Sequence, residues 1–85
     1  MKARVRLFAR LADLAGTRET EVELGEGLSA ADAFRLLCQR FPELAGHSDS
    51  VMYAVNAEYV NSDHSLRDGD ELALIPPVSG GDRAV

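Results

Sequence analysis

The sequence is poor in the residues that build most metal sites, disulfide frameworks and membrane spans. Its 85 residues include one cysteine and two histidines, and they include no tryptophan. A single cysteine excludes an internal disulfide framework, and one cysteine with two scattered histidines has no zinc-ligand spacing. No apolar run approaches the length of a membrane span, and the first residues contain no apolar signal segment. We therefore expect a cytoplasmic protein with no bound metal and no membrane association.

Basic charge is scarcer than acidic charge. Nine basic and fourteen acidic residues give a net charge of −5. Such a chain should repel phosphate backbones, so nucleic acid is an unfavourable partner, and a basic protein surface fits better. A chain of this length forms one small domain with a modest core, which leaves little room for a deep pocket and a catalytic shell.

The few candidate catalytic residues do not form a recognisable site. Cys38 lies on the apolar face of a predicted helix, which is typical of a buried structural thiol. His47 and His64 fall in predicted loops and belong to no metal-ligand cluster. No glycine-rich phosphate loop or serine nucleophile motif is present. The body of the chain therefore offers no catalyst, and any chemistry is expected at its terminus or in a partner.

Alternation of apolar and polar side chains predicts several half-buried strands. In the first of these strands Val5 and Leu7 face one way, while Arg4 and Arg6 face the other. The predicted strands are residues 2–9, 19–24, 51–55, 59–60 and 71–75.

Helical spacing of apolar residues predicts one short and one longer helix. The short helical turn covers residues 10–15, with Gly16 at its C-terminal cap. The main helix begins at Ser29, where Asp32 completes a capping box, and Pro42 ends it. Its apolar face consists of Ala30, Phe34, Leu37, Cys38 and Phe41. We expect residues 43–50 to form a loop.

This order of elements predicts an α+β domain of the β-grasp (ubiquitin-like) class over residues 1–75. The sheet is expected to be mixed, with four to five strands and one main helix across one face. In that architecture the first and last strands lie side by side and parallel in the middle of the sheet.

Three apolar residues fall on the face of the sheet that should be polar. Phe8 is out of phase with Val5 and Leu7, and Ile75 is out of phase with Leu72 and Leu74. Tyr59 lies on the predicted short strand. Exposed apolar clusters of this kind typically mark protein interfaces, although small domains also tolerate scattered exposed apolar residues.

The last strand leads into a short tail that ends in two glycines. Pro76 and Pro77 stiffen its root, Val78 and Ser79 follow, and Gly80-Gly81 comes next. Six extended residues reach about 20 Å, and glycines fit a narrow channel because they lack Cβ. The pattern indicates a carrier whose Gly81 carboxylate is activated inside a partner enzyme. The alternative is an ordinary loose terminus.

A family resemblance covers residues 3–81, and short groups of residues within this range carry it. They are Leu7-Phe8-Ala9, Leu14-Ala15-Gly16-Thr17, Ala54-Val55-Asn56, Val60, Asp63-His64, Leu66-Arg67-Asp68-Gly69-Asp70-Glu71 and Ile75-Pro76-Pro77-Val78-Ser79-Gly80-Gly81. In this order and spacing the chain resembles the small subunits of molybdopterin synthase, in the MoaD/ThiS group of ubiquitin-like sulfur carriers.

The resemblance implies a cycle of activation and sulfur transfer at Gly81. An adenylating activating enzyme uses ATP on the Gly81 carboxylate, and sulfur then replaces an oxygen to give a thiocarboxylate. The loaded chain docks on the large subunit of molybdopterin synthase and donates sulfur to a pterin precursor in molybdenum cofactor biosynthesis. By the same resemblance Phe8, Tyr59 and Ile75 are docking positions, and the chain alone is a non-catalytic subunit that binds no cofactor.

The sequence departs from this pattern because Asp82-Arg83-Ala84-Val85 follows Gly81. We expect a protease to remove these four residues. The alternatives are a remnant of a fusion, a paralogue that carries no sulfur, and activation at Val85. Sulfur carriers for thiamine, cysteine or tRNA thiolation, a ubiquitin-like protein modifier and a plain interaction module also remain open.

Overall fold

Five strands form one mixed sheet in the computed structural model, which describes residues 1–77. The strands are β1 (Lys2–Leu7), β2 (Glu19–Glu23), β3 (Met52–Val55), β4 (Glu58–Val60) and β5 (Glu71–Ile75). The helices are α1 (Ala9–Ala15), α2 (Ala30–Arg40) and a 3-10 helix (Pro42–His47).

The strand order across the sheet is β2-β1-β5-β3-β4. β1 and β5 pair in parallel, with Val5 opposite Leu72 and Leu7 opposite Leu74, and the other pairs are antiparallel. This order confirms the predicted β-grasp architecture, including the parallel pairing of the first and last strands. β5 is the middle strand of the five, so it is hydrogen-bonded on both sides.

Helix α2 begins at the predicted capping box. The Ser29 hydroxyl accepts a hydrogen bond from the Asp32 amide at 3.1 Å, and the Ser29 amide donates to the Asp32 carboxylate at 3.0 Å. The bond from the Ser29 backbone, with a further one from the Arg35 side chain, lowers the pKa of Asp32. A carboxylate in the first turn is also favoured by the helix dipole.

The core lies between α2 and one face of the sheet, which we call the inner face. Helix α2 contributes Ala30, Ala33, Phe34 and Leu37, which are buried. Phe34 packs edge-on against Tyr53 of β3, with ring centroids 6.4 Å apart at 82°. Leu72 and Leu74 of β5 are fully buried beneath the helix layer. The opposite face, which α2 leaves uncovered, is called the outer face.

Two local predictions were wrong. The first strand ends at Leu7 rather than at residue 9, because Phe8 forms the extended N-cap of α1 and Ala9 turns the chain with a φ of 52°. The predicted loop over residues 43–50 is largely a 3-10 helix. Pro42 suits the first position of that helix, since its fixed φ is helical and it has no amide to satisfy.

The turn between β3 and β4 has left-handed backbone at two residues that are not glycine. Asn56 has a φ of 52° and Ala57 a φ of 73°, as in a two-residue type I′ hairpin. The Asn56 side chain accepts a hydrogen bond from the Glu71 amide and donates one to Asp70, both at 3.0 Å. These bonds tie the turn to the start of β5.

Candidate docking surface

The chain leaves the sheet at Ile75, the last residue of the central strand. Pro76 is half-buried and Pro77 is exposed. The predicted tail positions Val78, Ser79, Gly80 and Gly81, together with the extension 82–85, lie outside the described residues. The structure therefore defines the exit point of the tail and its surroundings.

Ile75 lies in a row of apolar side chains on the outer face. Leu7 pairs with Leu74, and the Phe8 amide donates to the Leu74 carbonyl at 3.3 Å, so Phe8 is adjacent to Ile75 on one side. Met52 of β3 is in direct register with Ile75 on the other side. Because side chains alternate along a strand, Ile75 and Met52 share the outer face, and Phe8, one step beyond Leu7, lies on it too.

Tyr59 lies on the same face but not next to Ile75. It pairs with Ala54, so it lies on the edge strand β4, two residue positions further from the tail exit than the Met52–Ile75 pair. The structure thus brings Phe8 and Ile75 together, as the sequence predicted, and separates Tyr59 from them by β3. Met52 is the residue of β3 beside Ile75, and Ala54 is the residue of β3 beside Tyr59.

Met52 is the member of this surface that the sequence reasoning missed. Its strand was predicted over residues 51–55 and is observed over Met52–Val55. Side chains alternate along a strand, so Met52 lies on the face of the sheet opposite to that of the buried Tyr53. The place of Met52 beside the tail exit depends on the antiparallel register of β3 with β5, which no periodicity encodes. Phe8, Met52 and Tyr59 are 40%, 43% and 69% exposed. We call Phe8, Met52, Tyr59 and Ile75 the outer-face patch.

The other end of the outer face is charged. Arg4 pairs with Glu19 at 3.3 Å and Arg6 pairs with Glu71 at 3.5 Å. The Arg6 guanidinium also lies 5.5 Å from the centre of the Phe8 ring, which marks the boundary between the two ends. Phe8, Met52 and Ile75 therefore lie at the end from which the tail departs, whereas Tyr59 is level with Arg6 across the sheet.

The remaining candidate residues lie away from this surface. Cys38 is half-buried on α2, and burial raises the pKa of its thiol, which disfavours the nucleophilic thiolate. Within residues 1–77 no three histidine, cysteine, aspartate or glutamate side chains are close enough to hold a metal ion. None of the helices in the described part of the chain is long and apolar enough to cross a membrane.

The profile of the ThiS family matches residues 5–81. The chain belongs to the ThiS family. The match confirms the family resemblance that the sequence motifs predicted. It includes Gly80 and Gly81 and stops before Asp82. The ThiS-family region therefore begins in β1, contains the whole outer-face patch and ends at the second glycine.

Known proteins are similar to this chain in sequence, in fold or in both. The molybdopterin synthase sulfur carrier subunit of Chlamydomonas reinhardtii is 37% identical over 83 residues, which cover 95% of this chain and 100% of that protein. Small archaeal modifier protein 1 from Haloferax volcanii is 31% identical with a TM-score of 0.81, covering 91% of this chain and 98% of that chain. A chain in the complex of subunits 1 and 2 of the molybdopterin-converting factor from Helicobacter pylori shares the fold, at 24% identity and a TM-score of 0.66 over 95% of this chain and 100% of that chain.

Proposed function

We propose that this protein is the sulfur carrier subunit of a molybdopterin synthase and that it carries sulfur as a thiocarboxylate at Gly81. The observation that carries the proposal is the position of the tail. The central strand β5 ends within the outer-face patch at Ile75, and after four further residues in the sequence come Gly80 and Gly81, where the ThiS match ends. A partner that covers the patch would receive the tail at the same time.

The chemistry at Gly81 requires a free carboxylate. In the sequence the Gly81 carbonyl is part of a peptide bond to Asp82, so hydrolysis of that bond comes first. The carboxylate then attacks ATP, which forms an acyl adenylate and releases pyrophosphate. A sulfide-level donor displaces AMP, which leaves with one of the carboxylate oxygens, and the product is the thiocarboxylate. Its sulfur is a good nucleophile for transfer to a pterin precursor.

We further propose two docking partners, an adenylating activating enzyme and the large subunit of molybdopterin synthase. The Helicobacter pylori relative of similar fold is part of a complex of subunits 1 and 2 of the molybdopterin-converting factor, which supports the second partner. The role of the patch follows from its chemistry. Fully burying an exposed large apolar side chain contributes about 1.5–3 kcal/mol, and Phe8 and Met52, which are 40% and 43% exposed, would each contribute only a part of this. Aromatic residues are enriched at such interfaces.

The test of this function is reconstitution with the chain ending at Gly81. The purified protein is incubated with its cognate activating enzyme, ATP and a sulfide donor, and its intact mass is measured. We expect a species in which one oxygen is replaced by sulfur. A matched chain ending at Gly80 should stay unmodified although it keeps the fold, and equal loading of both chains would contradict a role for Gly81.

A second candidate is a ubiquitin-like protein modifier, favoured by the similarity to small archaeal modifier protein 1. A modifier uses the same activated terminus but forms an amide bond with an amine of another protein. The same reconstitution with cell extract added separates the two. Covalent adducts that survive reduction and denaturation indicate a modifier, whereas a thiocarboxylate that converts a pterin precursor with the large subunit indicates the carrier.

A further inference from the structure

Basic residues are concentrated at the start of a chain that is otherwise acidic. Residues 1–18 contain five basic side chains and only one acidic one, Asp13, although the whole chain has a net charge of −5. This segment forms β1, α1 and the approach to β2. A local excess of positive charge therefore lies beside the strand that exits into the tail.

Some of these charges are already neutralised within the domain. Arg4 is paired with Glu19 and Arg6 with Glu71. In contrast, no carboxylate oxygen of residues 1–77 lies within 4.0 Å of the guanidinium of Arg10 or of Arg18. Of the unpaired basic side chains in this segment, Lys2 lies at the start of β1, whereas Arg10 and Arg18 lie near its other end, beside the exit of the tail.

A cleft of about 350 Å³ opens at this end of the sheet. It is lined by Arg6, Leu7, Phe8, Ala9, Ala12, Asp13 and Arg18. Arg6, which is paired with Glu71, lies over the Phe8 ring, so Arg18 is the guanidinium in the cleft that has no carboxylate within 4.0 Å among residues 1–77. Phe8 belongs both to the cleft and to the outer-face patch, so the two surfaces are continuous.

We propose that this cleft binds a carboxylate side chain of the protein that docks on the outer-face patch. The inference rests on the proposed function, because it requires a partner that covers the patch. The partner would then have an acidic side chain opposite Arg18, although the net charge of −5 on this chain would by itself favour a basic partner surface. A protein carboxylate suits the cleft because guanidinium groups bind it in a bidentate manner and because charged pairs commonly rim an apolar interface.

The test compares two substitutions that change the charge equally at different places. Arg18→Glu reverses a charge in the cleft, whereas Arg67→Glu reverses one in the turn before β5, at the opposite end of that strand from Ile75. Both side chains are exposed, so both variants should fold. The dissociation constants of wild type and variants, each ending at Gly81, are measured with the cognate large subunit and with the activating enzyme.

We expect Arg18→Glu to weaken binding to at least one of these partners by about tenfold at low salt, with less than about a twofold effect for Arg67→Glu. The loss should shrink as the salt concentration rises, because screening weakens exposed pairs. Replacing the partner's matching aspartate or glutamate by arginine should then restore binding of Arg18→Glu.

The outcomes separate this inference from the proposed function. If the wild-type chain binds neither partner, the proposed function fails and the inference fails with it. If the wild type binds both proteins and Arg18→Glu binds as tightly as Arg67→Glu, the carrier assignment stands and the carboxylate cleft is excluded.

Discussion

Met52 and Ile75 face each other across the β3–β5 ladder, and both lie on the outer face of the sheet. Ile75 is the last residue of the central strand, so the pair stands directly at the root of the tail. Phe8 completes the row from the other side. The apolar surface at the tail exit is therefore formed by β3, β5 and the residue that follows β1.

Substituting Met52 by arginine should weaken docking more than it weakens the fold. The Met52 side chain is 43% exposed and lies on the surface of the sheet rather than in the core. We therefore expect the free energy of unfolding to change by less than about 1 kcal/mol. Loss of an apolar contact next to the tail should raise the dissociation constant for the large subunit by about tenfold. Calorimetric titration and thermal melting measure the two effects.

The control for that substitution is Gln39→Arg, which adds the same charge on the exposed side of α2. It should leave binding unchanged. Phe8→Arg should behave like Met52→Arg, whereas a large fall in its melting temperature would assign Phe8 to the core. Equal binding by Met52→Arg and Gln39→Arg would remove Met52 from the docking surface.

Replacing Ala57 by glycine should stabilise the protein. Ala57 has a φ of 73°, a conformation that glycine adopts without the steric cost that a Cβ incurs. We expect the free energy of unfolding to rise by about 1 kcal/mol. Urea denaturation measures it, and Ala45→Gly in the 3-10 helix is the matched control, which should destabilise. If both changes destabilise, the left-handed turn does not exist in solution.

The stability of the domain should fall in acid partly through Asp32. Its folded-state pKa lies below the ordinary value of 3.8, mainly because the Ser29 backbone donates to the carboxylate. The unfolded chain therefore binds the proton first, so this stabilisation is complete above 3.8 and is lost as the pH falls through the folded pKa.

The matched variant for this effect is Asp32→Asn, which keeps an oxygen acceptor for Ser29 but cannot titrate. Between about pH 5 and pH 2 the wild type should lose more stability than the variant, as measured by urea denaturation at each pH. Parallel curves for the two proteins would mean that Asp32 has the same pKa in the folded and unfolded chains.

The fold could be predicted because local signals and the global architecture agree. The capping box at Ser29, the αL glycine after α1 and the alternation in β5 each occur where the sequence placed them. The parallel pairing of β1 and β5 followed from the architecture, since no local pattern encodes which strands meet.

The misses have identifiable physical causes. A proline typically ends a helix, but Pro42 also begins one, and the burial of Leu44 that holds the 3-10 helix against the core is a tertiary effect. The separation of Tyr59 from Ile75 depends on β3 lying between them. The cleft beside Phe8 depends on the hydrogen bond from the Leu7 amide to the Arg18 carbonyl, which brings Arg18 next to the end of β1. Neither follows from periodicity.

The central position of β5 has a mechanical consequence. A partner that pulls on the tail acts along β5, which is bonded to β1 on one side and to β3 on the other. Force in this direction loads both ladders in shear, so many backbone hydrogen bonds resist it together rather than opening one after another. The sheet should therefore resist a pull applied to the chain beyond Ile75 better than a sheet whose last strand lay at an edge.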